Sequence, residues 1–578
     1  MVRKSGLVLF IICFGLFNLS PFLEQYSLNR DNLEKIMTDP AGKLFSEEAG
    51  NIFDKVYPTT FSLIRDINTI FEQVNEKQLK RYGITPEEVE ALVSTSEELT
   101  FSFALLDKIY PGEGEINTFK KQRFKDFGNW LEGQAFSTSD EMVDALWGVA
   151  ETIRTWGIIN VHGFDRYKQK SLRYEMVRSA SQGPVSSNPL LFFMLCFGLG
   201  TLGALLYILP VIKTLPGIKN NGVFLRSHSS RGWLGILLGS WLIAFYIVLY
   251  FYHEYMTTWI IMVDPVSFFL KKSEASQFFL YGVLYTLAVL VMGLRMIIKY
   301  RHSNYQLFRT ASVMFFQLGF AFLIPEILLR LNKPYFDFKN IWPLDYDFFF
   351  DYELDNMLAS GGLGIFMLGW GIALILIGVP IFTYFFGKRW YCSWVCGCGG
   401  LAETLGDPFR QLSDKRLKAW KIERIIIHFV LFFAIVMTAG VLYTWFTGQG
   451  NVFGVVSTYT VREIYGLLIG SAFAGVVGTG FYPLMGNRVW CRFGCPLAAY
   501  LGIVQRFKSR FRITTNGGQC ISCGNCSTYC EMGIDVRWYA QRGQNIVRAS
   551  CVGCGVCSSV CPRGVLKLET KEERGRIH

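Results

Sequence analysis

Residues 378–400 read "GVPIFTYFFGKRWYCSWVCGCGG": an apolar run closes at Gly387 and Lys388, and Cys392, Cys396 and Cys398 follow within seven residues. This stretch decides the fold because it joins a segment fit to cross a bilayer to a cluster of soft metal ligands at its exit. About 20 consecutive apolar residues cover roughly 30 Å of hydrocarbon. The chain has eight such stretches, near 6–23, 189–212, 232–252, 276–298, 308–329, 361–386, 423–446 and 464–485. Of its 578 residues 51% are hydrophobic and the mean hydropathy is +0.28, more apolar surface than a soluble chain of this size carries. The expected architecture is mainly α, a polytopic membrane helical bundle.

The short loops orient that bundle, because Lys and Arg collect on the cytoplasmic side. Lys213, Lys219, Arg226 and Arg231 follow the second span, and Lys299, Arg301 and Arg309 follow the fourth. Lys388, Arg389, Arg410, Lys415, Arg416, Lys418 and Lys421 crowd residues 387–422. The segment 331–360 instead carries Asp345, Asp347, Asp351, Glu353 and Asp355 and is expected outside. A bacterial inner-membrane protein with both termini in the cytoplasm follows.

The N-terminus, "MVRKSGLVLFIICFGLFNL", has the basic start and apolar run of a secretory signal but no A-x-A-like cleavage site, so residues 1–23 are expected to remain as a membrane anchor or signal-like span. Either outcome exports residues 24–188, a polar segment that reads as a helical domain. Thr85, Pro86, Glu87 and Glu88 supply an N-cap, a proline at the first helical position and acids in the first turn, and Thr138 with Glu141 has capping-box spacing. The segment has no cysteine and hence no haem-attachment motif. Residues 189–511 then form the transmembrane bundle and 512–578 a C-terminal domain.

Thirteen of the 15 cysteines follow residue 391, on the side expected to be reducing, which favours ligation over disulfides. Cys13 and Cys196 lie inside apolar spans as small hydrophobes. "CISCGNCSTYC" sets Cys520, Cys523, Cys526 and Cys530 in C-x2-C-x2-C-x3-C order, and "CVGCGVCSSVCP" repeats it with Cys551, Cys554, Cys557, Cys561 and Pro562. This is the bacterial two-cluster ferredoxin pattern, an α+β domain holding two [4Fe-4S] clusters, in which the fourth cysteine of each run serves the other cluster. Cys561 is therefore expected with Cys520, Cys523 and Cys526, and Cys530 with Cys551, Cys554 and Cys557.

The quoted stretch has an echo. "GKRWYCSWVCG" (387–397) and "GNRVWCRFGCP" (486–496) share one form, each after an apolar span. If each pair lies on a helical turn, Cys392 with Cys396, and Cys491 with Cys495, present two thiols in one direction. Two such pairs make a further site for an iron-sulfur cluster or another metal at the cytoplasmic face. Arg389 and Arg488 are expected to offset its negative charge, and Trp394 and Phe493 to shield it. Cys398 is either a substitute for Cys396 or a neighbour.

A two-run ferredoxin tail behind a bundle with two C-x3-C motifs resembles the membrane polyferredoxins of the NapH/NosR/CcoG type, over roughly residues 360–570. The resemblance implies electron transfer between a cytoplasmic or quinone pool and redox partners at or beyond the membrane. The chain departs from that pattern in having no proline after Cys396, no S-G-A-T-like flavin-attachment motif and no domain after the ferredoxin.

Other polar residues read more plainly. Glu326 is an intramembrane carboxylate with Arg330 one turn away as its expected partner. His253 and His428 lie at or within different spans, where a bis-histidine haem is the functional reading. Residues 498–512, "AAYLGIVQRFKSRFR", form a basic amphipathic stretch suited to anionic headgroups. The chain is thus expected to be an electron-transfer subunit, with membrane lipid, other redox subunits, a quinone or a flavin as partners and no nucleic acid. The rival is an assembly factor whose thiols bind or reduce a metal such as copper for a metalloenzyme. A redox-sensing regulator is a third reading, without a DNA-binding domain to support it.

Overall fold

The computed structural model describes residues 1–37, 40–211, 215–452 and 456–570. Lys213 and the tail 571–578 lie outside these. The chain forms two compact units, one of residues 1–18, 189–252 and 262–578, the other of 19–188 with 253–261.

Among the described residues eight helices are long and apolar enough to cross a membrane, all in the first unit except the last turn of α1: α1 (Val2–Phe22), α2 (Pro189–Ile208), α3 (Trp233–Phe251), α4 (Gln277–Lys299), α5 (Asn304–Arg330), α6 (Gly362–Phe386), α7 (Leu417–Thr447) and α8 (Thr458–Gly480). They match the eight apolar runs. Only 17% to 39% of each apolar window is buried within the protein. The rest, such as Leu376, Ile377, Phe429 and Phe432, is exposed and requires an apolar surround, which a bilayer supplies. α7 starts six residues before its apolar run because Lys418, Lys421 and Arg424 occupy its first turns with long stems that reach toward water.

Glu326 on α5 pairs with Lys271 at 3.5 Å, while Arg330 donates to the Phe269 carbonyl. The expected Glu326–Arg330 pair is therefore absent; the partner comes from a neighbouring helix, Asp264–Lys271, that shares no sequence periodicity with α5.

The acidic segment 331–360 does not simply lie on the surface. Its second half anchors to the ends of α7 and α8 remote from the cysteines, through Asp355 with Trp445 and Asp351 with Arg462. Its first half turns inward. Ile341 is 2% exposed and belongs to the same apolar core as Cys392 and Cys491, and Trp342 donates to Thr438 midway along α7. Such non-helical backbone is tolerated at membrane depth only where protein surrounds it.

The ferredoxin segment follows α9 (Pro496–Lys508) and pairs Arg512–Thr515 antiparallel with Leu566–Glu569, Arg512 opposite Glu569 and Thr515 opposite Leu566. α9 is not a free amphipathic strap. Leu497, Ala498, Leu501 and Gln505 are buried against α6 and α7, leaving Ile503, Arg506, Phe507 and Lys508 exposed.

The second unit is mainly helical, with a three-stranded antiparallel sheet in which Gln25–Ser27 lies between Val56–Tyr57 and Ser181–Gln182. Thr85 and Glu88 close a full capping box with Pro86 at the first helical position. Thr138 accepts from the Glu141 amide, while the Glu141 carboxylate takes the Ser137 amide. His253 belongs to this unit and packs beside Tyr174. His428, on α7, bonds through Nδ1 to the Arg424 carbonyl.

Candidate iron-sulfur sites

Three small cavities are walled by cysteine. One is lined by Cys520, Cys523, Cys526 and Cys561. The second is lined by Cys530, Cys551, Cys554 and Cys557. The third is lined by Cys392, Cys396, Cys398, Cys491 and Cys495, with Tyr391 and Trp490. Among the described residues no three His, Cys, Asp or Glu side chains draw close enough to hold a single metal ion. The thiols stand back around a space instead, the donor arrangement a polynuclear iron-sulfur cluster needs.

The ferredoxin loops turn where positive φ is required, at Gly524 (80°) and Gly555 (72°), each immediately before a short helix that carries the third cysteine of its run, Cys526 or Cys557. The fourth cysteine lies just past that helix and lines the opposite cavity.

The third cavity is built by the internal repeat, though not on one helical face. Gly387 and Gly486, at matching positions, both take positive φ (67° and 95°) and end the preceding helices. Cys392 then closes a short helix, Arg389–Cys392, while Cys396 caps the next one, Gly397–Thr404. In the second copy Cys491 lies in the turn Trp490–Gly494, and Cys495 caps α9 with its sulfur accepting from the Ala498 amide at 3.4 Å. The second thiol of each pair thus sits at a helix N-terminus, where the free amides favour negative charge. A hydrogen bond from Cys398, with help from the Gly399 amide, pulls the Cys396 thiol below its usual range, whereas burial pushes the Cys495 thiol up. A Cβ on Gly399 would lie 2.1 Å from the Cys392 carbonyl oxygen, so only glycine lets the two strands of the site approach.

The two arginines of the repeat part ways. Arg488 Nη1 lies 3.6 Å from Cys491 Sγ and 3.3 Å from the Cys392 carbonyl. Arg389 instead stacks over Phe511, Trp394 and Tyr305 and so braces the ferredoxin rather than the cavity. Shielding comes from Tyr391 and Trp490, which also occupy matching positions; Trp394 packs outward against Phe308 and Phe386, and Phe493 lies under Arg492. Lys388 and Asn487, another matched pair, both reach the ferredoxin, at the Ala549 carbonyl and at Glu531.

The second and third cavities are clamped together. Ser393, beside Cys392, donates to the carbonyl of Val552, beside Cys551, at 2.8 Å. Gln505, Tyr305 and Gln306 donate to the carbonyls of Cys551, Gly553 and Cys554. Under this contact lies a buried ion network. Arg488 meets Glu403 at 2.5 Å and Glu531 at 3.0 Å, and Arg410 meets Glu531 and Asp407 at 2.7 and 2.9 Å. Asp407 also takes Arg295 and Lys299, and Arg309 pairs with Glu403. Burial alone would raise the Glu531 carboxyl, but Arg410 and Arg488 hold it down at about 2. Five cations face three carboxylates, and Arg309 Nε and Nη2 have no hydrogen-bond partner among the described residues. The surplus positive charge fits a thiolate-bound cluster, which is anionic.

Sequence reasoning reached the thiols but not this network, because Arg309, Glu403, Arg410 and Glu531 carry no motif spacing. It also missed Lys339, whose Nζ lies 3.9 Å from a Cβ placed on Gly397 and comes from the acidic segment expected outside.

Residues 368–417 and 467–514 match the 4Fe-4S binding domain family, and residues 519–566 match the 4Fe-4S dicluster domain family. With the eight apolar helices, these matches make the chain similar to polyferredoxin-type membrane proteins. It is similar to the "Putative electron transport protein YccM" of Escherichia coli (strain K12), 27% identical over 181 residues, 28% of this chain and 47% of that one. It is also similar to the "Methylamine utilization ferredoxin-type protein MauN" of Methylobacillus flagellatus, 25% identical over 170 residues, 27% of this chain and 53% of that one. The chain spans about half the length of these curated relatives. No solved structure matches.

Proposed function

We propose that this protein passes single electrons along a row of three sites, from the ferredoxin to the membrane face or the reverse. The observation that carries the reading is the clamp between the second and third cavities, Ser393 to Val552 and Arg488 to Glu531, which joins residues adjacent to thiols on both sides. Cys520, Cys523, Cys526 and Cys561 would hold the outer [4Fe-4S] cluster and Cys530, Cys551, Cys554 and Cys557 the inner one. Cys392, Cys396, Cys491 and Cys495 would hold a third, with Cys398 a fifth thiol beside it. When bound, such clusters supply one-electron redox chemistry. The chain's own residues set its conditions: Cys523 is exposed, open to a donor, whereas Cys392 and Cys491 are buried.

A lipid-soluble carrier has a route to the far end. A cavity of about 660 Å³ between α7, α9 and residues 547–550 reaches Cys491, and its lining mixes Ile427, Ile503 and Phe507 with Arg506 and Arg548. Its amphipathic lining suits a quinone or flavin ring. The assembly-factor alternative needs thiols that converge on one ion, and the spacing around the third cavity supports it less well.

Two experiments test the proposal. In the first, the full chain, purified anaerobically and reduced with dithionite, is mixed with a short-chain quinone. Reoxidation of the clusters is expected to be fast in the native protein and slowed in Cys491→Ser; equal rates, or stoichiometric copper in place of iron, would sink the relay. The second concerns sidedness. Cysteines introduced at Gly133 and Lys567 are expected to react with impermeant maleimide from the periplasmic and cytoplasmic sides respectively, and labelling at 567 from outside would reverse the orientation.

A further inference from the structure

Apart from the cysteine sites, the first unit contains a cavity of about 600 Å³ among the ends of α1–α4 that lie nearest the ferredoxin. Its polar wall is cationic. Arg3, Arg226, Arg295 and Lys299 line it together with His228. The one carboxylate there, Asp407, is already met by Arg295 at 2.7 Å, Lys299 at 2.6 Å and Arg410 at 2.9 Å. Arg3 is held over the Tyr207 ring, 4.9 Å from its centroid, with Nη2 3.3 Å from the hydroxyl. Burial, with Arg226 and Arg295 beside it, holds His228 below the usual imidazole range, as expected where positive charge is in excess.

Deeper along the helices the lining turns aliphatic and aromatic. Leu7 and Phe10 follow Arg3 along one face of α1, and with Leu234 and Leu238 of α3 they line the cavity while remaining 37% to 39% exposed. A ligand here therefore meets cations at one end and an opening to the bilayer at the other. A quinone is neutral and would leave the cations uncompensated. Free inorganic phosphate would answer them but leave the apolar wall bare.

We propose that this cavity binds an anionic phospholipid, its phosphate on Arg3 and Arg226 with Arg295 behind them, and its acyl chains leaving past Phe10 and Leu238. Basic pockets between membrane helices are suited to anionic headgroups, since the phosphate can meet Arg3 and Arg226, both exposed at the helix ends, while the chains remain in lipid. Tyr529, next to the thiol of Cys530, lines the same cavity. A bound lipid would thus sit against the inner ferredoxin loop and fasten it to the membrane ends of α1–α4.

The test is native mass spectrometry of the full chain released from mixed phosphatidylglycerol and phosphatidylcholine nanodiscs. The expected result is one phosphatidylglycerol retained per chain, preferred about tenfold over phosphatidylcholine, an energy difference of about 1.4 kcal/mol. Arg3→Gln with Arg226→Gln is expected to abolish the preference while iron content stays at the wild-type value, and Arg226→Gln alone, in a loop outside the helices, to reduce it. Equal retention of the two lipids, an unchanged preference in the double variant, a retained isoprenoid quinone, or full displacement by millimolar inorganic phosphate would each overturn the proposal.

Discussion

Arg488→Gln, in the otherwise intact chain, is expected to destabilise the membrane-face and ferredoxin contact by about 3–5 kcal/mol, the cost of leaving buried charge without its partner. Arg488 is 1% exposed, neutralises Glu403 and Glu531 together, and touches Cys491. Its loss brings two buried carboxylates into one site with less cation between them. The same change is expected to lower the reduction potential of the third site, because a positive charge beside a cluster favours its reduced, more negative state. Thermal unfolding followed by cluster absorbance reads the first effect, and potentiometric titration the second. Arg416→Gln, at an exposed Asp414 pair, serves as the control and should change neither. A variant at Arg488 with wild-type midpoint and wild-type potential would show that the network does nothing.

The network also predicts an acid limit. The Glu531 carboxyl titrates near 4.5 when free and is held at about 2 in the fold. Its folded value is depressed, so its contribution is present above the free value and lost as pH falls from about 4.5 toward 2. Unfolding midpoints measured through that window should drop in the native protein and drop less in Glu531→Gln, which has already given up the charge.

The second large effect is on metal content. If all three proposed sites hold [4Fe-4S] clusters, about 12 iron and 12 sulfide per chain are expected. Cys392→Ser and Cys491→Ser should each lower iron to about eight and leave the ferredoxin signals intact. Cys398→Ser should retain the full count, because the two copies of the repeat already supply four thiols at matching positions. Cys554→Ser should remove the inner cluster and, through Cys530, which lies just past the short helix that carries Cys526, weaken the outer one. Iron and sulfide analysis with EPR of the reduced protein reads all four variants; an unchanged iron count in both Cys392→Ser and Cys491→Ser would leave the third cavity as packing between helix ends.

Much of the fold was legible because membrane helices and cluster ligands leave strong local signals. Each span is an apolar run whose length is set by the bilayer, and each ferredoxin run has spacing that few other sites use. The eight spans and the 4Fe-4S character follow from those patterns. What the sequence hid depends on approach between distant segments. Ile341 reads as part of an acidic, aromatic outer loop, yet it belongs to the same buried core as the thiols, since only the folded bundle offers it an apolar slot. Glu326 chose Lys271 over Arg330 for the same reason. Matching positions in the repeat suggested matching roles for Arg389 with Arg488 and for Trp394 with Phe493, whereas the shared roles fall to Tyr391 with Trp490 and to Lys388 with Asn487. The match fails for Arg389, because Phe511 lies within 4.6 Å of its guanidinium carbon on that side and Glu403 lies on the other.

The shared cavities carry a consequence for how the protein is made. Cys561 closes the first cavity begun by Cys520, and Cys530 waits for Cys551 to start the second. The third needs helices α6 and α8 both inserted before Cys392 and Cys491 can face each other. No cavity can be completed from an N-terminal fragment shorter than its last thiol. All eight helices precede the ferredoxin in the chain, so each has been synthesised before Cys561 can close the outer cavity. Translation that stalls anywhere before Cys561 leaves the outer cavity short of a thiol, a product that quality control could recognise by its unclad sulfur.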